Sequence, residues 1–202
     1  MFTGHQRPGA IVSRDVISAP QPVPVEYRHR PLTRPEAEAL HRELKTTPNI
    51  LGYTVRELVR ARDVWVATAG ADGAFAGVML SLDMPLGWTE LAALYVLPEY
   101  RGRGIARELF DRAWERGASR RRHLYALSRN KQVQEMMRRR GMVLDGALWR
   151  APLAVHLFMP LYMSSPYRNV EAFRKAKSMR ETAPLLQGIW RNPDAGPGAR
   201  RR

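Results

Sequence analysis

Apolar positions recur along the chain with two different spacings, and each spacing calls for its own kind of element. Residues 24–30 read as a first strand. Thr33, Arg34, Pro35 and Glu36 then form a capping box, in which a threonine oxygen and a glutamate carboxylate satisfy amides that a starting helix leaves open. Ala37, Leu40 and Leu44 follow at helical spacing as the buried stripe of that helix. Thr54, Val55, Arg56 and Glu57 repeat the signature, and Val55, Leu58 and Val59 give a second, short amphipathic helix. Residues 63–69 and 74–83, joined by Gly70, Ala71, Asp72 and Gly73, predict a β-hairpin, with a further strand over 89–97. Pro98 ends that strand. From Gly104 the spacing turns helical again, with Ala106, Leu109, Phe110, Ala113 and Trp114 on one face and Gly117 as the expected left-handed stop. Residues 123–128 predict another strand, 131–140 a helix stopped by Gly141, and 142–145 a last strand.

The pattern weakens beyond Arg150. Pro152 and Pro160 argue against a central strand through 153–163. The apolar stretch 155–163 is expected to be buried against the sheet or in a contact between two copies, with a membrane-surface role as the alternative. Ser165 and Pro166 predict the start of a helix running to about Met179, with Val170, Phe173 and Ala176 facing inward. Residues 1–23, with Pro8, Pro20, Pro22, Gly4 and Gly9 and few large side chains, read as an extended arm. The expected organisation is therefore an arm over 1–23, a domain over 24–150, a mostly helical C-terminal extension over 151–191 packed on that domain, and a disordered basic tail over 192–202.

Composition narrows the chemistry. The 202 residues suit one domain with a sizeable core. With no cysteine, a disulfide scaffold, a thiolate nucleophile and a cysteine-based zinc or iron–sulfur site are excluded, and no metal site is predicted. The longest mostly apolar run covers 151–163, short of the ~20 residues that cross a bilayer, and the N-terminus lacks the apolar segment of a secretory signal. A cytoplasmic location is expected. The formal charge of +14 is concentrated, with +9 in residues 101–150 and +6 in 151–202 against −3 in 51–100. Arg120, Arg121 and Arg122, and again Arg138, Arg139 and Arg140, run without interleaved acids. They are candidates for nucleic-acid binding, with a solvated basic face as the alternative.

The chemistry-bearing segment is 94–106, where a glycine-rich turn lies between a strand and a helix start. Amides at a helix N-terminus carry partial positive charge, Gly102 and Gly104 let a pyrophosphate approach the backbone, and Arg101 and Arg103 add full charges. Arg101, Gly104 and Ala106 satisfy the pattern of Arg or Gln, two residues, Gly, one residue, Gly or Ala. With Val96 two residues before the hinge-like Pro98, a capped first helix after a strand, and Asn130 ahead of Gly141 and Met142, residues 24–150 resemble the GNAT superfamily of acyl-CoA-dependent N-acyltransferases. The resemblance implies an α/β fold, with a mixed, mostly antiparallel central sheet flanked by helices, here followed by a C-terminal extension. It also implies acetyl-CoA as co-substrate and an N-acetyltransferase that moves the acetyl group to a primary amine by direct attack in a ternary complex. Backbone groups of Leu94, Tyr95 and Val96 would pair with the pantetheine arm, Arg101, Gly102, Arg103, Gly104, Ile105 and Ala106 would cradle the pyrophosphate, and Asn130 would help hold the cofactor or serve as a plain helix cap.

The chain also departs from that family. Where the family has a tyrosine that protonates the leaving thiolate, Met137 stands here. Tyr125 is a candidate substitute, with packing on a sheet face as the alternative. Glu90 is the candidate general base, since it lies eleven residues before Arg101 beside apolar Trp88 and Leu91, which would raise its pKa towards working pH. A solvent-facing strand residue is the alternative for Glu90, and Asp83 is a weaker candidate. The acceptor amine is a small molecule or a protein, and a homodimer is a further candidate partner. Two other functions stay open: acyl transfer to nucleic acid or aminoacyl-tRNA, and a GNAT fold turned into a binding or structural module.

Overall fold

A computed structural model describes residues 24–48, 50–180 and 184–195. The predicted arm and most of the basic tail lie outside them. Thirteen elements follow one another: β1 (Val25–His29), α1 (Arg34–Thr46), α2 (Val55–Arg60), β2 (Asp63–Ala69), β3 (Ala74–Met84), β4 (Trp88–Val96), α3 (Ile105–Ser119), β5 (His123–Ser128), α4 (Lys131–Arg139), β6 (Val143–Asp145), α5 (Leu153–Tyr162), α6 (Pro166–Arg180) and β7 (Leu186–Trp190). Both capping boxes form, and Arg30 clamps the Glu36 carboxylate with two hydrogen bonds of 2.7 and 2.6 Å.

The strands make one sheet in the order β1-β2-β3-β4-β5-β7-β6, antiparallel throughout except for β4 beside β5. Ile105, Leu109, Phe110 and Ala113 of α3 and Met137 of α4 cover one face with Leu91, Leu124 and Ala126. Ala37, Leu40 and Leu44 of α1 and Leu58 of α2 cover the other, on Val64, Val78, Ala93 and Tyr95. Ala154 and Val155 of α5 pack nearby with Met84, Trp88 and Tyr125.

Two features of β4 shape what lies beside it. First, Leu80 faces Ala93 while Ser81 faces Leu91, so Ala92 is an extra residue, a β-bulge. Because side chains alternate along a strand, the insertion brings Glu90 and Tyr95 to the same face, where plain alternation would oppose them. Second, β4 pairs with β5 only from Trp88 to Leu91, opposite residues 123–126. Beyond that point β5 continues alongside β7, the two strands part, and a cleft opens between them.

Four expectations are corrected. Gly117 does not stop α3: it is buried inside the helix, where an added Cβ would meet Leu124 Cδ2 at 2.4 Å, and the left-handed residue is Arg121, with φ of 54°. The extension is more than a helical appendage, because β7 inserts between β5 and β6. The tail does not begin at Asn192. This residue is buried, its backbone N–H donates to His123 Nδ1 at 3.0 Å and its side chain to the Ala118 carbonyl at 2.8 Å.

The fourth correction concerns α6, which is turned the other way round. Val170 and Phe173 are exposed, while Arg168, Glu171 and Lys175 are buried. The reason is what α6 lies on. Lys175 Nζ donates to the carbonyls of Leu44 and Ile50, the first belonging to the last turn of α1, where carbonyls lack partners within the helix and a cation is favoured. Glu171 neutralises that ammonium at 3.4 Å.

Candidate active site

The parting of β4 and β5 creates a cavity of about 810 Å³. Its walls are Leu91, Leu94, Tyr95 and Val96 on one side and Leu127, Ser128 and Asn130 on the other, with Tyr53, Met159 and Tyr162 contributed by the α1–α2 connection and α5.

At one end α3 starts. Gly102 and Gly104 have φ of 77° and 78°, a conformation that costs a side-chain-bearing residue about 1–2 kcal/mol. Gly104 is the helix cap and offers no side chain to the first-turn amides, so these face outward as an anion site. The α4 start differs, because Asn130 Oδ1 accepts from Gln132 and Val133 N–H at 2.8 and 3.4 Å. Of the candidate cofactor residues, Leu94, Tyr95, Val96, Arg101, Ala106 and Asn130 line the cavity. Gly102, Arg103 and Gly104 belong to the turn beside it, and the Ile105 side chain is buried in the core. Arg101 bends back along β4: Nε donates to the Val96 carbonyl at 3.1 Å, Nη2 to Tyr95 Oη at 3.3 Å. That carbonyl therefore already has a partner. Arg103 stacks over the Tyr100 ring at 5.7 Å.

Glu90 is a cavity residue and is partly buried, so the solvent-facing alternative falls away. Burial pushes its carboxyl up to about 7, against a smaller downward pull from Arg168. Tyr125 lies directly opposite Glu90 in the strand register but is 2% exposed, packed with Met84, Trp88, Ala154 and Val155, and is not part of the cavity wall. Burial first, and then the Glu90 charge, hold its phenol well above the ordinary value. Met137 is fully buried in the core under Gly188.

Three residues had no signal in the sequence. Tyr162 donates to Tyr53 Oη at 3.0 Å, and both rings line the cavity with Glu90. The Arg168 guanidinium lies 3.8 Å from the Tyr162 ring centre and 5.3 Å from that of Tyr53, and donates to Glu57 at 2.8 Å. Their sequence separation hides the group, since it assembles only when α5 and α6 fold back over the α1–α2 connection. Tyr95 Oη also donates to Glu43 at 2.6 Å.

The arginine runs find acids from other elements. Arg120 bridges Asp63 and Asp83 at 2.8 and 2.6 Å, and Arg122 reaches Asp83 at 3.2 Å. Arg138 and Arg139 pair with Glu135, and Arg140 with Asp111 at 2.6 Å and Glu115 at 3.0 Å. Both runs therefore have acidic partners in three dimensions, and Asp83 is occupied as an ion-pair partner. His123 packs on Trp88 at 4.8 Å. Among the described residues no group of three or more His, Cys, Asp or Glu is arranged to hold a metal, and no helix is long and apolar enough to cross a membrane.

The backbone arrangement has counterparts among solved structures. Rv2747 from Mycobacterium tuberculosis, determined in complex with CoA, is 15% identical, with a TM-score of 0.59 over 82% of this chain and 98% of its own. N-acetylglutamate synthase from Neisseria gonorrhoeae, complexed with coenzyme A and N-acetyl-glutamate, is 17% identical with a TM-score of 0.56, and the match covers 82% of this chain but only 35% of the synthase. Ard1 from Thermoplasma volcanium is 12% identical, with a TM-score of 0.51 over 82% of this chain and 97% of its own. No curated protein matches the sequence. At these identities the likeness shows the fold. The sequence itself matches the acetyltransferase (GNAT) family over residues 27–142, more than half the chain and the span that carries α1, the bulged β4, the α3 turn and α4. The chain therefore belongs to the GNAT acetyltransferase family.

Proposed function

We propose that this protein transfers the acetyl group of acetyl-CoA to a primary amine by direct attack, with Glu90 as general base. The observation that carries the reading is a carboxyl buried in the cavity wall, where loss of hydration pushes it up to about 7, near the pH at which a base has to take and release a proton. The residues present fit acetyl-CoA. The uncapped α3 start suits a pyrophosphate, and the edge of β4 beyond Leu91, free of β5, suits an extended amide-bearing arm. Leu94, Tyr95, Val96, Arg101, Gly102, Arg103, Gly104, Ile105, Ala106 and Asn130 would hold it, Ile105 through its backbone alone.

In the proposed reaction the Glu90 carboxylate takes a proton from the acceptor ammonium. The freed amine nitrogen forms a bond to the thioester carbon, the carbon–sulfur bond breaks, and the thiolate leaves with the electron pair. A thiolate is a weak enough base to leave without a dedicated acid; the surplus proton on the new amide nitrogen passes to that thiolate by way of solvent, and Glu90 returns its own proton to solvent. Tyr125, buried away from the cavity wall, does not support an acid role, and Met137 offers no proton. A nucleic-acid acceptor is the less supported reading, because five of the six arginines that suggested it are ion-paired.

Millimolar acetyl-CoA is expected to raise the melting temperature, since a ligand that binds the native state stabilises it by mass action, and the Gly104→Glu variant should show no such rise. An equal rise in both proteins would remove the α3 turn from the site. A panel of small amines, read by release of free thiol, then tests transfer itself.

A further inference from the structure

The buried polar face of α6 has no part in the reaction proposed above, yet it lies against the segment that walls the cavity. Glu43, Thr47, Leu51 and Tyr53 of that segment line the cavity. Behind them Lys175 donates to the carbonyls of Leu44 and Ile50, and Arg174 Nη2 to that of Lys45 at 2.7 Å. The approach is close: a Cβ on Gly52 would meet Glu171 Cγ at 2.7 Å. At the start of the helix stands Arg168, 5% exposed. Its guanidinium stacks on the cavity tyrosines, 3.8 Å from the Tyr162 ring centre and 5.3 Å from that of Tyr53. Nη1 donates to the Tyr162 carbonyl and Nη2 to Glu57, while Nε finds no hydrogen-bond partner among the described residues.

We propose that Arg168 is a positioning residue for the base: from behind the Tyr53–Tyr162 wall it supplies the positive field in which the Glu90 carboxyl ionises. The inference rests on Glu90 acting as the base. The groups around that carboxyl single out this cation. In the sheet, Glu90 stands between Leu82 of β3 and Tyr125 of β5. The α1–α2 connection and α5 bring the phenols of Tyr53 and Tyr162 to the same cavity. All three phenols are held above their ordinary value near 10 by burial, so none carries charge at neutral pH. Glu57 of α2 is engaged by Arg168 itself, and Glu43, Arg101 and Arg129 border the cavity. Of all these, Arg168 is the charge that draws Glu90 down against burial, and a guanidinium keeps its proton at every working pH. Its place behind the rings also suits the task. A direct ion pair would lower a carboxyl by about 1–3 pH units and spoil it as a base, while full burial without a cation raises one by up to ~3–5 and keeps it protonated. A cation stacked behind aromatic rings acts between these limits, and it leaves the carboxylate oxygens open to an acceptor amine.

Carbon-13 NMR of the Glu90 carboxyl in the full, glutamate-labelled chain tests this without any acceptor, the signal being assigned by its loss in Glu90→Gln. The wild-type midpoint should lie near 7. A unit charge ~10 Å away at an effective dielectric constant of ~20 moves a carboxyl by about 1 pH unit, so Arg168→Met should raise the midpoint by about that much. Arg168→Lys keeps the charge and should stay close to the wild type. Glu57→Gln breaks the same ion pair but leaves the cation, and glutamine can still complete the capping box, so its midpoint should lie at or below that of the wild type. Melting temperatures control for folding, and Arg168→Gln, which can still donate to the Tyr162 carbonyl, takes the place of Arg168→Met if that variant does not fold. The acid limb of thiol release should move with the NMR midpoint in each variant. An unchanged midpoint in the neutral Arg168 variant overturns the proposal. So does an equal rise in that variant, Arg168→Lys and Glu57→Gln, which would trace the effect to a loosened wall rather than a lost charge. Midpoints that move as expected in a chain that acetylates no amine would uphold the field of Arg168 and count against the proposed reaction instead.

Discussion

Glu90 shows how one side chain can be costly to the fold and suited to the chemistry. Its folded pKa of about 7 lies above the 4.5 of a free glutamate, so between those two values the folded chain holds a proton that the unfolded chain has lost. Stability therefore falls as pH rises through this window and levels off above it. The upper limit of the loss is about 3 kcal/mol. Glu90→Gln, which cannot ionise, should show a flatter dependence, its advantage over the wild type growing from pH 4.5 to 7. Urea unfolding at a series of pH values measures this, and parallel curves for the two proteins would mean the carboxyl is not buried as described. The apolar neighbours Trp88 and Leu91 made this carboxyl legible in the sequence. Tyr53, Tyr162 and Arg168 were not legible, because nothing local to any of them signals a contact made across more than a hundred residues.

Elements were legible where the local signal and the tertiary demand agreed. Both capping boxes, the hairpin and the strand–turn–helix around Gly104 are of this kind. They separate at Gly117, which resembles a helix stop but serves close packing, since Cδ2 of the fully buried Leu124 lies 2.4 Å from the Cβ it would carry. Two effects oppose each other in Gly117→Ala. Helix propensity favours alanine by about 1 kcal/mol, and overpacking costs about 1–3 kcal/mol. With a contact this short the second prevails, and denaturant unfolding should show a net loss of about 1–2 kcal/mol, whereas a gain would mean α3 and β5 are farther apart. The same separation explains α6: the apolar spacing of Val170, Phe173 and Ala176 pointed inward, but the open carbonyls at the end of α1 require a cation. The apolar pattern of β7 is broken by Gly188, which sits where Met137 Cε approaches its Cβ position at 3.2 Å.

For the molecule as a whole, the formal charge of +14 overstates the free basic surface. Asp63, Asp83, Asp111, Glu115 and Glu135 come from β2, β3, α3 and α4 to meet the arginine runs. A pairing between distant elements cannot be read from a run of like charges. Replacing Arg138, Arg139 and Arg140 together with alanine should accordingly lower the melting temperature, chiefly through the partly buried Arg140–Asp111 pair. It should leave retention of tRNA on filters unchanged at physiological salt. A loss of retention with no change in melting would return these arginines to an interface role.

Acetyl transfer with Glu90 as base is tested most directly by the pH dependence of thiol release. With an accepted amine and saturating acetyl-CoA, the wild-type rate should fall on the acid side with an apparent pKa near 7, the value that burial gives Glu90. Glu90→Gln should lower turnover by about 10²–10⁴ and lose that limb, while its acetyl-CoA melting shift stays that of the wild type. A variant that retains wild-type turnover and the same acid limb would contradict the assignment.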